Sequence, residues 1–518
     1  MPGGHLLLPA RGTHGHRPGR GWTDRDPRDG GLSRDTMARC PARVLGKPAA
    51  AGAGHSRAAP RALQRRPPAA GIFPSPSGRG SGWGRSRGSS RSGGPAVKAD
   101  IAVVGSGLTA LVATRTLQKA GRNPVLIWPG LSSLYFLYAT VDVLGYMNAT
   151  TAQPVEEPVT GVRQLIADNP DHPYARAGVA ALQDGSNLLL DWLREAGFKW
   201  QGTLARNLLL ATATGTPKPT CLVPTSMLAG DLQRVEPIVF CGFDGYQDFI
   251  PELAASNLSR TWNGGHRTVT AVRISLSGVK PDRLFTSIDL ARSFEDATFR
   301  RDVAGRLRRT VKDDGARLGM PAVLGLTHDS DVHAEFEKET GHPVFEIPTV
   351  PPSVLGLRLF DRLRRHLQET GVEMIWAAPA HDAEVANGRC LRIHLKSAGR
   401  EQPVEARAYI LALEDAVDGA WRAGAHTVRD PFFHHVLAQH ATPAERTDES
   451  LFQPQPFATI GYPVSDRLQP IDKNGYPLAA NVFVAGGGIA GYDPTGIKAR
   501  GGMAIATGYR AAQEAMAA

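Results

Sequence analysis

An ordered pattern of apolar and polar positions begins abruptly at Lys98. Ala99-Asp100-Ile101-Ala102-Val103-Val104 reads as a short apolar strand, and Leu111, Thr114 and Leu117 continue as one face of a helix. Gly121 stands where that helix should stop, and Val125-Leu126-Ile127-Trp128 reads as a second strand. Between strand and helix lies Gly105-Ser106-Gly107-Leu108-Thr109-Ala110, a G-x-G-x-x-A turn inside a β-α-β unit. Gly105 permits the tight turn, Gly107 lets backbone approach a phosphate, and Ala110 keeps the helix close to the strand. The helix N-terminus then offers free N–H groups and a positive dipole end to an anion. One usual feature is missing. Dinucleotide sites commonly place Asp or Glu after the second strand to hold a ribose, and here that place reads Trp128-Pro129-Gly130.

The second half repeats this logic. Leu355, Leu359, Leu363 and Leu367 recur at four-residue spacing on a helix beginning near Pro351-Pro352-Ser353. Its Arg358, Arg362, Arg364 and Arg365 are expected on a solvated face. A strand follows at Gly371–Trp376, then a hairpin signal at Asn387-Gly388, then Leu391, Ile393 and Leu395 alternating with Arg392, His394 and Lys396. Tyr409-Ile410-Leu411-Ala412-Leu413 closes the group. Near the C-terminus, Val482-Phe483-Val484-Ala485 runs into Gly486-Gly487-Gly488-Ile489-Ala490-Gly491, and Gly501-Gly502 open an Ala-rich helix. Backbone this bare lets a planar ring lie against it. Arg500, at the mouth of that helix, suits a phosphate or equally an ordinary surface position.

Composition changes the picture mainly for the tail. The 518 residues carry a formal charge of +10, but residues 1–97 hold 16 Arg and one Lys against four Asp. The remaining body therefore has a net charge of −3, which argues against a basic groove and against nucleic-acid binding by the folded part. Gly and Pro supply 31 of the first 97 residues, so this Arg/Gly/Pro-rich segment is expected to be disordered. A start too far upstream is the favoured account of it, with Met37 or a site near Val97 as the true beginning. Cys40, Cys221, Cys241 and Cys390 form no CxxC pair, which points to a reducing compartment and to no cysteine-ligated metal or iron–sulfur cluster. The uncharged stretch from Asn123 to Val141 is broken by Pro and Gly, so no transmembrane segment is expected there.

Several stretches together carry a family likeness: GSGLTAL, LSSLYFLYATVDVLG, HPYARAG, TATGTPKPTCL, VFCGFDGYQDF, IPTVPPSVLGLRL, FQPQPFATIG, VAGGGIAGYDP and ARGGMAIATG. From about residue 98 to 515 the chain resembles the B subunit of anaerobic glycerol-3-phosphate dehydrogenase, a relative of the fumarate reductase-type flavoproteins. The resemblance implies an α/β fold: a Rossmann-like flavin-binding domain from 98–150, 353–415 and 478–518, with an inserted α+β region from 151–352 and 416–477. It implies oxidation of glycerol 3-phosphate to dihydroxyacetone phosphate, with electrons passed towards quinone. The implied partners are the FAD-bearing A subunit and the iron–sulfur, membrane-anchoring C subunit of the same complex. The implied location is cytoplasmic, at the inner membrane through those partners. FMN is the implied cofactor, with FAD as alternative, because FMN lacks the half that an acidic ribose anchor would hold.

Carried over by position, Gly105, Ser106, Gly107 and Ala110 face the cofactor phosphate. Gly487, Gly488, Gly491, Gly501 and Gly502 line its other side. Gly215, Thr216 and Lys218 match a G-T-x-K/R element placed near the flavin, the other reading of Gly215-Thr216 being a turn before a strand. Two segments depart from the family pattern: Leu137-Tyr138-Ala139 replaces small hydroxyl and glycine residues, and Ala412-Leu413-Glu414-Asp415 replaces an Ala-Thr/Ser-Gly element. A carboxylate where bare backbone normally meets a flavin is unfriendly to an anionic cofactor. These departures keep open a flavin-free structural role in the same complex, and a stand-alone flavin oxidoreductase is the third reading. No catalytic base is assigned. His172, His328, His381, His434, His435 and His440 are candidates by residue type alone.

Overall fold

A computed structural model describes residues 96–518 except 152, 263–267, 277–283, 328–330, 377–378, 398–399, 415–418 and 451–452. The expected disordered tail, Cys40, His328 and Asp415 therefore lie outside the described residues.

The apolar run beginning at Lys98 forms the strand Val97–Val104, whose Ile101–Val104 end is fully buried at the centre of a seven-stranded sheet. Parallel neighbours are Pro124–Trp128 on one side and Arg400–Leu411 on the other. Outside these lie Glu373–Trp376 and Val482–Val484, also parallel. A run buried on both faces is what a helix-covered parallel strand requires. The expected hairpin at Asn387-Gly388, with both residues at positive φ, joins Ala380–Ala386 to Arg389–Ser397, and the latter pairs antiparallel with Arg400–Leu411. Because Val104 is in register with both Ile127 and Leu411, and Leu411 with Val484, four strand ends finish together. Their following turns gather at one edge, the usual ligand crevice of such sheets.

Two long helices cover the sheet next to that edge. Leu108–Lys119 and Arg500–Met516 approach so closely that a Cβ on Gly508 would lie 2.7 Å from Thr109 O. The leucine stripe appears as the buried face of Val354–Glu369, capped by Ser353 Oγ accepting from Gly356 N at 3.1 Å.

The stretch 151–352 contains helices and antiparallel pairs, together with a four-stranded parallel sheet ordered Val344–Ile347, Arg317–Pro321, Ile238–Phe243 and Val269–Ile274. Phe240, Phe243, Phe294, Phe336 and Phe345 build a second hydrophobic core around it. Here one expectation is corrected. Arg358 and Arg362 are not on a solvated face. Arg358 forms two parallel bonds of 2.8 and 2.9 Å with the fully buried Glu346 and a third to Gly325 O, while Arg362 donates to Ala196 O. The helix thereby joins the two cores through one buried ion pair. Among the described residues no helix is long and apolar enough to cross a membrane.

Candidate functional site

The turns at the sheet edge meet as the glycine pattern requires. Gly105 adopts φ +148°, and a Cβ there would lie 2.1 Å from Ala412 O. Ala110, fully buried, lies against it, and Ser106 is tied to the following loop by Ser132 Oγ donating to Ser106 O at 2.6 Å. From the opposite side, a Cβ on Gly486 would meet Thr109 Oγ1 at 2.5 Å and one on Gly487 would meet Glu414 O at 1.9 Å. Gly488 N donates to Leu413 O at 2.8 Å. The segments around 105–110 and 486–488, nearly 400 residues apart, therefore enclose one short stretch, Ala412–Glu414.

That stretch carries a carboxylate. Glu414 is only 3% exposed, and its Oε1 accepts from Thr109 Oγ1 at 2.6 Å and from Thr109 N at 3.2 Å. Thr109 is the second residue of the helix Leu108–Lys119, so its N–H is one of the donors a helix leaves unpaired at its start. A Cβ on Gly107 would lie 2.6 Å from Glu414 Cγ and 2.7 Å from Oε1. Ser133 Oγ lies 2.6 Å from the same point, buried and without a hydrogen-bond partner among the described residues.

Next to Glu414 opens a cleft of about 240 Å³. Leu108, Leu134, Leu189 and Leu359 supply its apolar lining, and Lys218, Lys498 and Arg500 line it together with the carboxylates of Asp142 and Glu414. Lys218 is held by Asp142 Oδ1 at 2.7 Å and Thr140 Oγ1 at 2.8 Å, with its ammonium 5.4 Å from the centre of the Tyr138 ring. Burial, and then the charge of Lys218, lower the pKa of Lys498. The 137–139 segment that departs from the family pattern lies in this wall.

The other expected site residues are placed differently. Gly215 and Thr216 form the turn of the hairpin joining Leu208–Ala211 to Pro217–Thr220, packed on the helix Pro251–Thr261, and only Lys218 of that element reaches the cleft. Gly501 lines the cleft, and both Gly501 and Gly502 also serve close packing: their missing Cβ atoms leave room for Val141, Asp142 and Val143 and for the Tyr174 hydroxyl. Gly491 is exposed at φ +96° with open space around it. Sequence reasoning missed Thr109, Ser133 and Asp142. Thr109 lies inside the fingerprint itself, so the unread signal was its hydroxyl one turn from the glycines.

A flavin nucleotide would bring its phosphate to the start of the helix at Leu108. The residues in place do not fit that arrangement, because the anion at the helix start is Glu414 and its side chain fills the space above Gly107. At the end of the second strand, where a ribose carboxylate is commonly found, this chain has an aromatic side chain. Trp128, ending the second strand, stacks on Trp376 with ring centres 4.9 Å apart and meets Phe360 edge-on at 4.4 Å.

One of the candidate histidines, His172, is buried. It caps the helix Pro173–Ala177 through Nδ1, lies beside Tyr174 and Tyr492, and has no partner at Nε2 among the described residues. Burial lowers its pKa to about 4 from an ordinary 6.5. Since the unfolded chain binds the extra proton between those values, His172 makes stability rise with pH across the window and lowers it as pH falls from 6.5 to 4. A shift of that size corresponds to about 3 kcal/mol. Replacing it with Asn, which keeps a capping acceptor, should flatten that part of the stability-versus-pH curve measured by denaturant unfolding.

The fold and its glycine turns have known relatives. The family model described as "FAD binding domain" matches residues 100–502. The chain is 27% identical over 434 residues to the B subunit of anaerobic glycerol-3-phosphate dehydrogenase from Vibrio cholerae serotype O1 (strain M66-2), covering 81% of this chain and 96% of that one. It is 29% identical over 426 residues to a protein of Halobacterium salinarum (strain ATCC 29341 / DSM 671 / R1) named as the probable B subunit of the same enzyme, covering 80% and 97%. Among solved structures, it is similar to 3-ketosteroid delta1-dehydrogenase from Sterolibacterium denitrificans, with 11% identity, 81% and 100% coverage and a TM-score of 0.37. It is also similar to a flavocytochrome c3 fumarate reductase, with 11% identity, 82% and 79% coverage and a TM-score of 0.35. The family description names FAD; none of these matches names FMN. With its strand order, its glycine turn and a family match spanning most of its length, the chain belongs to the FAD binding domain family of flavoproteins.

Proposed function

We propose that this chain is the B subunit of a flavin-dependent glycerol-3-phosphate dehydrogenase complex. The observation that carries the reading is the match to curated B subunits over 96–97% of their own length, which leaves little of those relatives unaccounted for. The cleft supports it. A phosphate ester is a compact anion, and the three cations Lys218, Lys498 and Arg500 outnumber the carboxylates of Asp142 and Glu414 in the lining of a largely apolar cleft. In this reading an FAD-bearing A subunit and an iron–sulfur C subunit complete the assembly, electrons pass towards quinone, and the complex is held at the inner membrane by its partners. The parts 98–150, 353–415 and 478–518 act as the flavoprotein-type body and the remainder as its cap.

Two versions differ in what the chain itself carries. In the first it holds its own flavin, FMN or FAD. In the second it is flavin-free, and the buried Glu414 favours that one. The full chain co-expressed with an A-type partner should co-purify with it and raise glycerol 3-phosphate-dependent reduction of a soluble quinone analogue. Absence of both co-purification and stimulation would sink the assignment.

A further inference from the structure

We propose that Glu414 is a built-in occupant of the phosphate position, an internal carboxylate that satisfies the helix start and keeps a phosphorylated flavin from binding there. The inference rests on the flavoprotein reading of the fold and does not depend on the proposed partners.

Four observations carry it. The first is chemical: a helix start attracts a carboxylate for the same reason that it attracts a phosphate, through unpaired N–H groups and the positive end of the dipole. Glu414 makes that contact, with Oε1 bonded to both the amide and the hydroxyl of Thr109. The second is steric. Gly107 ordinarily clears a path for a ligand, and here the cleared volume is taken by Glu414 Cγ and Oε1.

The third is that the backbone bearing this side chain is clamped. Ala412 N donates to Val104 O at 2.8 Å, Gly488 N donates to Leu413 O at 2.8 Å, and a Cβ on Gly487 would touch Glu414 O at 1.9 Å. Two strands and a glycine turn thus fix residues 412–414 from both sides, so Glu414 enters the position from a rigid support. The fourth concerns the far end of the ligand. The apolar stack of Trp128, Trp376 and Phe360 stands where a ribose carboxylate would be expected. A flavin arriving at this site would therefore meet like charge at its phosphate and an aromatic wall at its ribose. Coulomb repulsion between a phosphate and a carboxylate at a few ångströms is strongest where water is excluded, as it is around a side chain 3% exposed.

Removal of the carboxylate would expose a set of donors. Thr109 N and Oγ1 would lose their acceptor, and Ser133 Oγ, already buried beside Gly107 without a partner among the described residues, would stand with them. Three donors would then face one small cavity at a helix start. That is a phosphate site.

The test uses the full chain purified alone and with its A-type partner. Bound flavin is released with acid, separated chromatographically and quantified, and FAD and FMN are each titrated by fluorescence quenching. The wild-type chain should release no stoichiometric flavin of its own. Glu414→Gly should bind at least one of the two flavins roughly tenfold more tightly than wild type or better, in line with the effect of an anion at a helix start. The melting temperature of the variant should rise on adding that flavin while that of the wild type stays fixed. Should glycine at 414 prevent folding, Glu414→Ser gives the same reading with less backbone freedom. One equivalent of FAD or FMN on the isolated wild-type chain would overturn the proposal. So would a folded variant whose flavin affinity matches wild type. Failure to co-purify with the partner would count against the proposed complex while leaving these titrations unaffected.

Discussion

Arg358→Ala should cost about 3–5 kcal/mol, the usual effect of stripping one partner from a buried ion pair. Glu346 is 1% exposed, and its two oxygens are held by Arg358 Nη1 and Nη2 and by Leu324 N. Burial alone would raise the Glu346 pKa, but the charge of Arg358 and its hydrogen bonds win and hold it below the usual carboxylate value. The sign of the pH effect follows. In wild type this pair stabilises the fold above the ordinary glutamate range, and that stabilisation is lost as pH falls through the lowered folded value. Without the guanidinium, burial dominates and the carboxyl prefers its proton. The deficit of the variant should then shrink as pH is lowered towards the ordinary glutamate range. Denaturant midpoints at neutral and mildly acid pH check both statements. A deficit that is small at neutral pH, or that grows on acidification, would contradict them. Arg358→Met paired with Glu346→Leu should recover much of the loss, because a buried apolar pair needs no compensating charge.

Gly105→Ala is the second large effect. A methyl group at that position would lie 2.1 Å from Ala412 O, between two backbone segments that have no room to separate. Overpacking contributes about 1–3 kcal/mol, and the unfavourable φ of +148° adds strain of about 1–3 kcal/mol. Together these approach a large fraction of the ~5–15 kcal/mol that holds a typical domain folded. The variant should express poorly or melt far below wild type by differential scanning fluorimetry. Gly121→Ala is the informative control. Its φ is +74° but nothing lies within 4 Å of the added carbon, so only the conformational cost should appear. Equal losses in the two variants would show that crowding at the Gly105 turn is not what matters.

Much of the fold was legible because its signals are local. The strand at 97–104, the glycine turn, the leucine stripe and the hairpin at Asn387-Gly388 each depend on a few consecutive residues and reappear where expected. The four-stranded parallel sheet was harder to see. Its four strands lie far apart in the chain between helices, so each short apolar run could have been strand or buried helix. Arg358 was misplaced because a charged stripe on a helix normally faces water, and only a second layer carrying Glu346 reverses that.

The site divides the same way. The sequence by itself determined that glycines at 105 and 107 face a helix start, since steric freedom and the helix dipole follow from residue type and spacing. It also marked Glu414 as out of place for an anionic cofactor. Only the tertiary structure decided where that carboxylate goes, because its partner Thr109 is 305 residues away and is met through the register of two parallel strands. The same long-range packing assigned Gly501 and Gly502 to the 141–143 backbone and Tyr174, and drew Lys218 to Asp142. Contacts between distant segments depend on how whole layers stack, and no short window of sequence carries that information.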